Sequence, residues 1–225
     1  MSNESADITR MLCDAFDHLL PLEKREVEKG PTGLLPQHLR NEIDELNSWV
    51  FDTVNNGVYK VGFATSQAAY NEHITKLFQS LDRLEYILSQ EGHQPYLFGE
   101  HITEADVRLY TTLIRFDVAY HTLFKCNIKM IRLDYPRLHT WLRRLYWSEG
   151  PETAGGAFKS TTHFDVVSNP RRTTLFLANL YRSREAIPRS PLVTVLCPQV
   201  PYRRLCHHSS FTSCFSSFTS HQLLL

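Results

Sequence analysis

The chain has 225 residues, with 24 Lys+Arg against 24 Asp+Glu, 42% hydrophobic and 21% charged residues, an ordinary globular composition. Its formal net charge of zero gives no basic field, which excludes nucleic acid as a default partner, and no run approaches the roughly 18 apolar residues of a membrane span. The opening MSNESADITR lacks the basic-then-apolar layout of a secretory leader, and cysteines 13, 126, 197, 206 and 214 form no CxxC pair; both point to reduced thiols in the cytoplasm.

The elements follow in order. Ile8, Met11, Leu12, Ala15, Phe16 and Leu19 recur at three/four spacing and predict a helix over about 5–20. EKREVEKGPTG reads as a polar loop closed by Gly30, Pro31 and Gly33. Leu39, Ile43, Leu46 and Val50 give a second helix running toward Asn55-Asn56-Gly57. Tyr70, Ile74, Leu77, Leu81, Leu84 and Leu88 form the longest stripe, stopped by Gly92 and Pro95. Thr103 with Asp106 predicts a capped fourth helix with Val107, Tyr110, Ile114 and Val118 facing inward. Pro136 suits a first helical turn, and Leu138, Trp141, Leu142 and Leu145 follow it. Neither a strand nor an internal repeat emerges. The fold class expected is all-α, with one core.

The character changes near residue 168. Residues 168–225 hold seven Arg, no Lys and one acidic residue, Glu185, so this tail carries +6 and residues 1–167 carry −6. Pro170, Pro188, Pro191, Pro198 and Pro201 break it, and it ends in SSFTSCFSSFTSHQLLL. Such a basic, Pro/Ser-rich stretch predicts disorder over most of its length. Its origin fits translated non-coding or frame-shifted sequence as well as an ordinary disordered tail.

Two further stretches are more specific. NNGVYKVGFATSQAAY (55–70) and YLFGEHITEADVRLYTTLIRFD (96–117), with NESADITRM (3–11), resemble the glutathionyl-hydroquinone reductases, xi-class relatives of the omega-class glutathione transferases. The resemblance covers about residues 2–165. It implies a glutathione S-transferase C-terminal helical bundle over 21–167, preceded over 1–20 by the last element of a thioredoxin-like domain and its following helix. It also implies glutathione as co-substrate, no metal, and a homodimer formed through the helical domain. The family's catalytic Cys-Pro-Trp-Ala motif is absent from these residues, so the resemblance assigns no catalytic residue here and predicts a chain without activity of its own. The alternative is a non-catalytic dimerisation or interaction module of the same ancestry.

Individual residues take their roles accordingly. Glu4 and Ser5 match the family dipeptide that binds the γ-glutamyl end of glutathione; a helix N-terminus suits a carboxylate, and capping alone also explains Ser5. Tyr59 matches a tyrosine facing the quinone pocket, where a phenol can hydrogen-bond and stack on a hydroquinone; a packing role explains it equally well, and Phe63 one turn on reads as core. Thr103 and Asp106 read as structural. Arg108 and Arg115 fit either helix ion pairs or a pocket rim. Cys13, mid-helix, reads as a buried, inert thiol. Cys206, His207, His208 and Cys214 match no zinc spacing.

Overall fold

The structure, a computed structural model, describes residues 5–167. Among them the chain is helical, without a strand; the nearest approach is an isolated antiparallel bridge between Tyr96 and Gly99. The principal helices are α1 (Ser5–Ala15), α2 (Arg40–Val50), α3 (Gly57–Gly62), α4 (Gln67–Ile87), α5 (Glu104–Leu113) and α6 (Pro136–Trp147). No described helix is long and apolar enough to cross a membrane. The expected disordered tail over 168–225, its Cys206, His207, His208 and Cys214, and Glu4 lie outside the described residues.

The bundle forms where the stripes predict it. Ile43, Leu46 and Val50 of α2 are buried, as are Ile74, Leu77, Leu81 and Leu84 of α4 and Leu138, Trp141, Leu142 and Leu145 of α6. Fully burying each such aliphatic side chain contributes about 1.5–3 kcal/mol. Ser66 caps α4 by accepting the Ala69 N–H at 3.2 Å. α6 begins at Pro136, and the Glu85 carboxylate of α4 accepts the free N–H groups of Arg137 (2.7 Å) and Leu138 (2.9 Å).

Three expectations need correction. The helix over 5–20 ends at Ala15 and gives way to a 3-10 turn at Asp17–Leu19. Its apolar stripe is not core: Ile8, Met11, Phe16 and Leu19 are exposed, because no described element packs over that face. The polar loop after it contains a short helix, Glu26–Lys29, between two 3-10 turns. On α5, the fully buried positions are Ala105, Asp106, Leu109 and Leu113; Val107 is only half-buried and Val118 is exposed. A π-turn at Phe116–Tyr120 adds a residue to the turn, rotating Val118 outward and Phe116 inward.

The joint of the bundle is one carboxylate. Asp106, fully buried, accepts hydrogen bonds from Leu97 N (3.0 Å), Thr103 N (2.9 Å), Thr103 Oγ1 (2.8 Å) and Trp141 Nε1 (2.8 Å). Burial pushes its pKa above the ordinary carboxylate value, and the four donors oppose that rise by favouring the charged form. Asp106→Ala strands these donors in the core and is expected to cost about 3–5 kcal/mol in urea unfolding. A loss below about 1 kcal/mol would show that the donors find other partners.

Candidate functional site

α2 passes into α3 through a second π-turn, Phe51–Asn55, closed by Asn56 N to Phe51 O at 2.9 Å. The turn is braced by the Asn55 amide, which donates to Arg108 O and to Thr112 Oγ1 of α5, both at 3.0 Å. α3 then presents Tyr59 and Phe63, four residues apart, toward Tyr120, which ends the Phe116–Tyr120 π-turn, and Phe124, again four farther on. The Tyr59 ring lies 5.4 Å from Phe124 and 5.7 Å from Tyr120, both edge-on, and 6.3 Å from Phe63. Tyr120 and Phe124 are buried floor residues, whereas Tyr59 is 38% exposed.

The hydroxyls complete the site. Tyr59 Oη and Tyr120 Oη are 3.1 Å apart. Burial, and the Tyr59 hydroxyl bonded to it, push the Tyr120 phenol well above its ordinary pKa, against the Arg115 guanidinium beside it. Either hydroxyl can donate to the other, and when Tyr120 donates, the Tyr59 O–H is free to donate outward. A flat ring bearing an oxygen could pack against the exposed part of Tyr59 and accept that hydrogen bond.

Two clefts lie elsewhere. One, of about 630 Å³, is bounded by α1, the 17–37 segment and Glu104, and has Arg10 and Cys13 in its wall. Arg10 bridges Asp44 of α2 (2.6 Å) and Glu104 of α5 (2.8 Å), while Arg108 joins Glu104 at 3.3 Å and stacks over Phe51. Cys13 is half-buried rather than buried, and desolvation, then Glu26 and other nearby carboxylates, push its thiol pKa up. The second cleft, about 440 Å³, runs along Val107, Tyr110 and Ile114 beneath Phe158. Burial pushes the Tyr110 phenol there up to about 12. Buried Cys126 is likewise pushed up to about 12, so neither described cysteine is a ready thiolate. No group of three or more His, Cys, Asp or Glu among the described residues is arranged to hold a metal.

Of the sequence-derived site residues, Ser5 opens α1 and Tyr59 stands on α3 in the aromatic cluster, while Glu4 lies outside the described residues. Tyr120, Phe124 and Gly62 went unmarked in the sequence. The repeated four-residue spacing of Tyr59–Phe63 and Tyr120–Phe124 was the available signal. Arg108 serves a helix ion pair, and Arg115 stands at the rim of the aromatic cluster.

With this geometry in place, residues 67–144 match the glutathione S-transferase C-terminal domain. Those residues carry a glutathione S-transferase C-terminal domain. Its homologues are xi- and omega-like transferases. Glutathione S-transferase omega-like 2 of Schizosaccharomyces pombe is 50% identical over 164 residues, covering 73% of this chain and 49% of that protein. YqjG of Escherichia coli, a glutathionyl-hydroquinone reductase, is 43% identical over 195 residues, covering 87% and 51%. YqjG has also been solved with glutathione bound, and it superposes with a TM-score of 0.61 at 48% identity over 74% of this chain and 48% of that one. Glutathione transferase Xi 1 from Trametes versicolor superposes with a TM-score of 0.65 at 46% identity, over 76% of this chain and 57% of that one. The chain thus spans about half the length of the curated relatives it matches.

The transferase domain packs its aromatic cluster on a glycine. A Cβ on Gly62 would lie 2.5 Å from Phe124 Cγ and 2.8 Å from Cδ1. Phe124 is 6% exposed and has no room to retreat. Gly62→Ala is expected to destabilise the domain by about 1–3 kcal/mol and to weaken its near-UV aromatic circular dichroism. An unaltered spectrum and melting curve would contradict this packing.

Proposed function

We propose that this chain supplies the helical, hydroquinone-facing half of a glutathionyl-hydroquinone reductase, and that these 225 residues do not catalyse the reaction alone. The observation that carries the reading is Tyr59: it is 38% exposed at the edge of the aromatic cluster, and its hydroxyl lies 3.1 Å from that of Tyr120. A hydroquinone stacked there places its oxygen against a phenolic donor. Glu4 and Ser5 hold the γ-glutamyl end of glutathione, with Ser5 at the start of α1.

In the complete reaction a thiolate attacks the sulfur of the glutathionyl adduct. The carbon–sulfur bond breaks, the ring carbon takes a proton, and a mixed disulfide with glutathione remains. A second glutathione thiolate resolves it, releasing oxidised glutathione and restoring the enzyme thiol. That attack needs a low-pKa cysteine. Among the described residues Cys13 and Cys126 both have raised pKa values, and we assign the thiolate to the thioredoxin-like domain of a complete reductase. Purified chain assayed with glutathionyl-menadiol is expected to stay at background. Turnover well above background that disappears in Cys13→Ser would overturn this division of labour.

A second reading, an interaction module, draws support from the exposed apolar residues at the start of the chain. Ile8, Met11, Phe16, Leu19, Leu22 and Val27 all face solvent. Patches of this kind drive association, which accords with the proposed homodimer. Sedimentation of the 225-residue chain at high micromolar concentration is expected to show a dimer or larger species. A clean monomer would count against self-association.

A further inference from the structure

A third cleft, about 290 Å³ in volume, lies between α6 and the segment from Leu88 to Pro95. Arg137 and Arg144 flank it, Gln94 reaches in from the facing segment, and Leu88, Pro95 and Trp141 form its apolar walls. No carboxylate lines it, in contrast to the Arg10 cleft, whose lining includes Asp14, Asp17, Glu26 and Glu104. Among the described residues neither Arg137 nor Arg144 forms an ion pair. The Glu85 carboxylate accepts from the backbone N–H groups of Arg137 and Leu138, and Glu152, which senses Arg144, bonds Ser148.

Arg137 occupies the first turn of α6, where Glu85 takes the free backbone N–H groups, so the Arg137 guanidinium keeps no carboxylate partner among the described residues. Seven residues separate the arginines, about 10 Å along the helix axis, so two long side chains can converge from opposite ends on one group. Gln94 gives one amide N–H to Leu88 O at 3.1 Å and keeps a second for a ligand. Trp141, fixed by its bond to Asp106, holds the floor rigid.

We propose that this cleft binds a phosphate-bearing small molecule, with Arg137 and Arg144 clamping the phosphate. Two guanidinium forks and an amide supply more donors than a carboxylate's two oxygens can use, and a phosphate presents enough acceptors to engage them. The apolar walls accept the organic body, and the volume exceeds the ~30 Å³ share of a single water many times over. The site shares no residue with the Tyr59 cluster and stands independently of the reductase reading.

Calorimetric titration of the 225-residue chain with inorganic phosphate, pyrophosphate and phenyl phosphate, at constant ionic strength in chloride, tests it. Saturable binding is expected, tightest for phenyl phosphate. Arg137→Gln and Arg144→Gln should each weaken it about tenfold, whereas Arg143→Gln, on the same helix outside the cleft, should leave it unchanged. Thermal melts check folding, and Arg144→Lys, which keeps the charge but loses the fork, should weaken binding where the Gln variant proves unstable. Absence of saturable heat would overturn the proposal. So would binding that survives both cleft variants, or that falls equally with Arg143→Gln.

Discussion

Everything in the bundle converges on the Asp106 carboxylate. It closes the first turn of α5, holds the 97–103 connection against that turn, and receives the indole of α6. Two nearby backbone segments and the indole of α6, 35 residues away, thus share one acceptor, and each bond is made in a fully desolvated place where an orphaned donor is costly. The leucine stripes of α4 and α6 provide most of the burial, but they are non-directional. The carboxylate fixes how α6 meets α5 and the 97–103 connection.

The aromatic cluster depends on a different constraint, the breaking of helical period. Phe51–Asn55 and Phe116–Tyr120 are both π-turns, one on each side of the cluster. Each turns the following residues by an extra step relative to an unbroken helix. Tyr59 therefore meets Tyr120, and the close approach of α3 is possible because Gly62 leaves space for the Phe124 ring. π-turns recur at functional positions because they redirect side chains without ending the helix.

Much of this was legible in the sequence, for reasons that also explain the misses. Leu77, Leu81 and Leu84 announced their burial because one regular helix carries them. Thr103 and Asp106 announced a cap because the interaction is local. Val118 misled because a π-turn has no periodic signature, and a stripe extended through it points to the wrong face; Val107 lies in the regular helix at the edge of its buried face, where spacing alone does not separate half-buried from buried. The outward face of α1 could not be foreseen from spacing, which says that a helix is amphipathic but not what covers it. Tyr59 was marked by resemblance, whereas its partner Tyr120 required the three-dimensional fold. Arg137 and Arg144 remained unremarked because a charge on a helix is ordinary until its neighbours are known.

α1 is attached unlike any other principal helix. None of its described side chains from Asp7 onward is fully buried, and Arg10 ties it to the bundle through Asp44 and Glu104. Exposed ion pairs are screened by salt, with a Debye length falling from about 10 Å at 0.1 M to about 3 Å at 1 M, whereas part-buried pairs are screened much less. Added salt therefore weakens the Arg10–Asp44 contact, as it does the surface pairs Lys60–Asp52 and Lys129–Asp82, while the Arg10–Glu104 contact, whose carboxylate is almost buried, persists. The first helix thus keeps one salt-resistant anchor to α5 and one to α2 that depends on the solution.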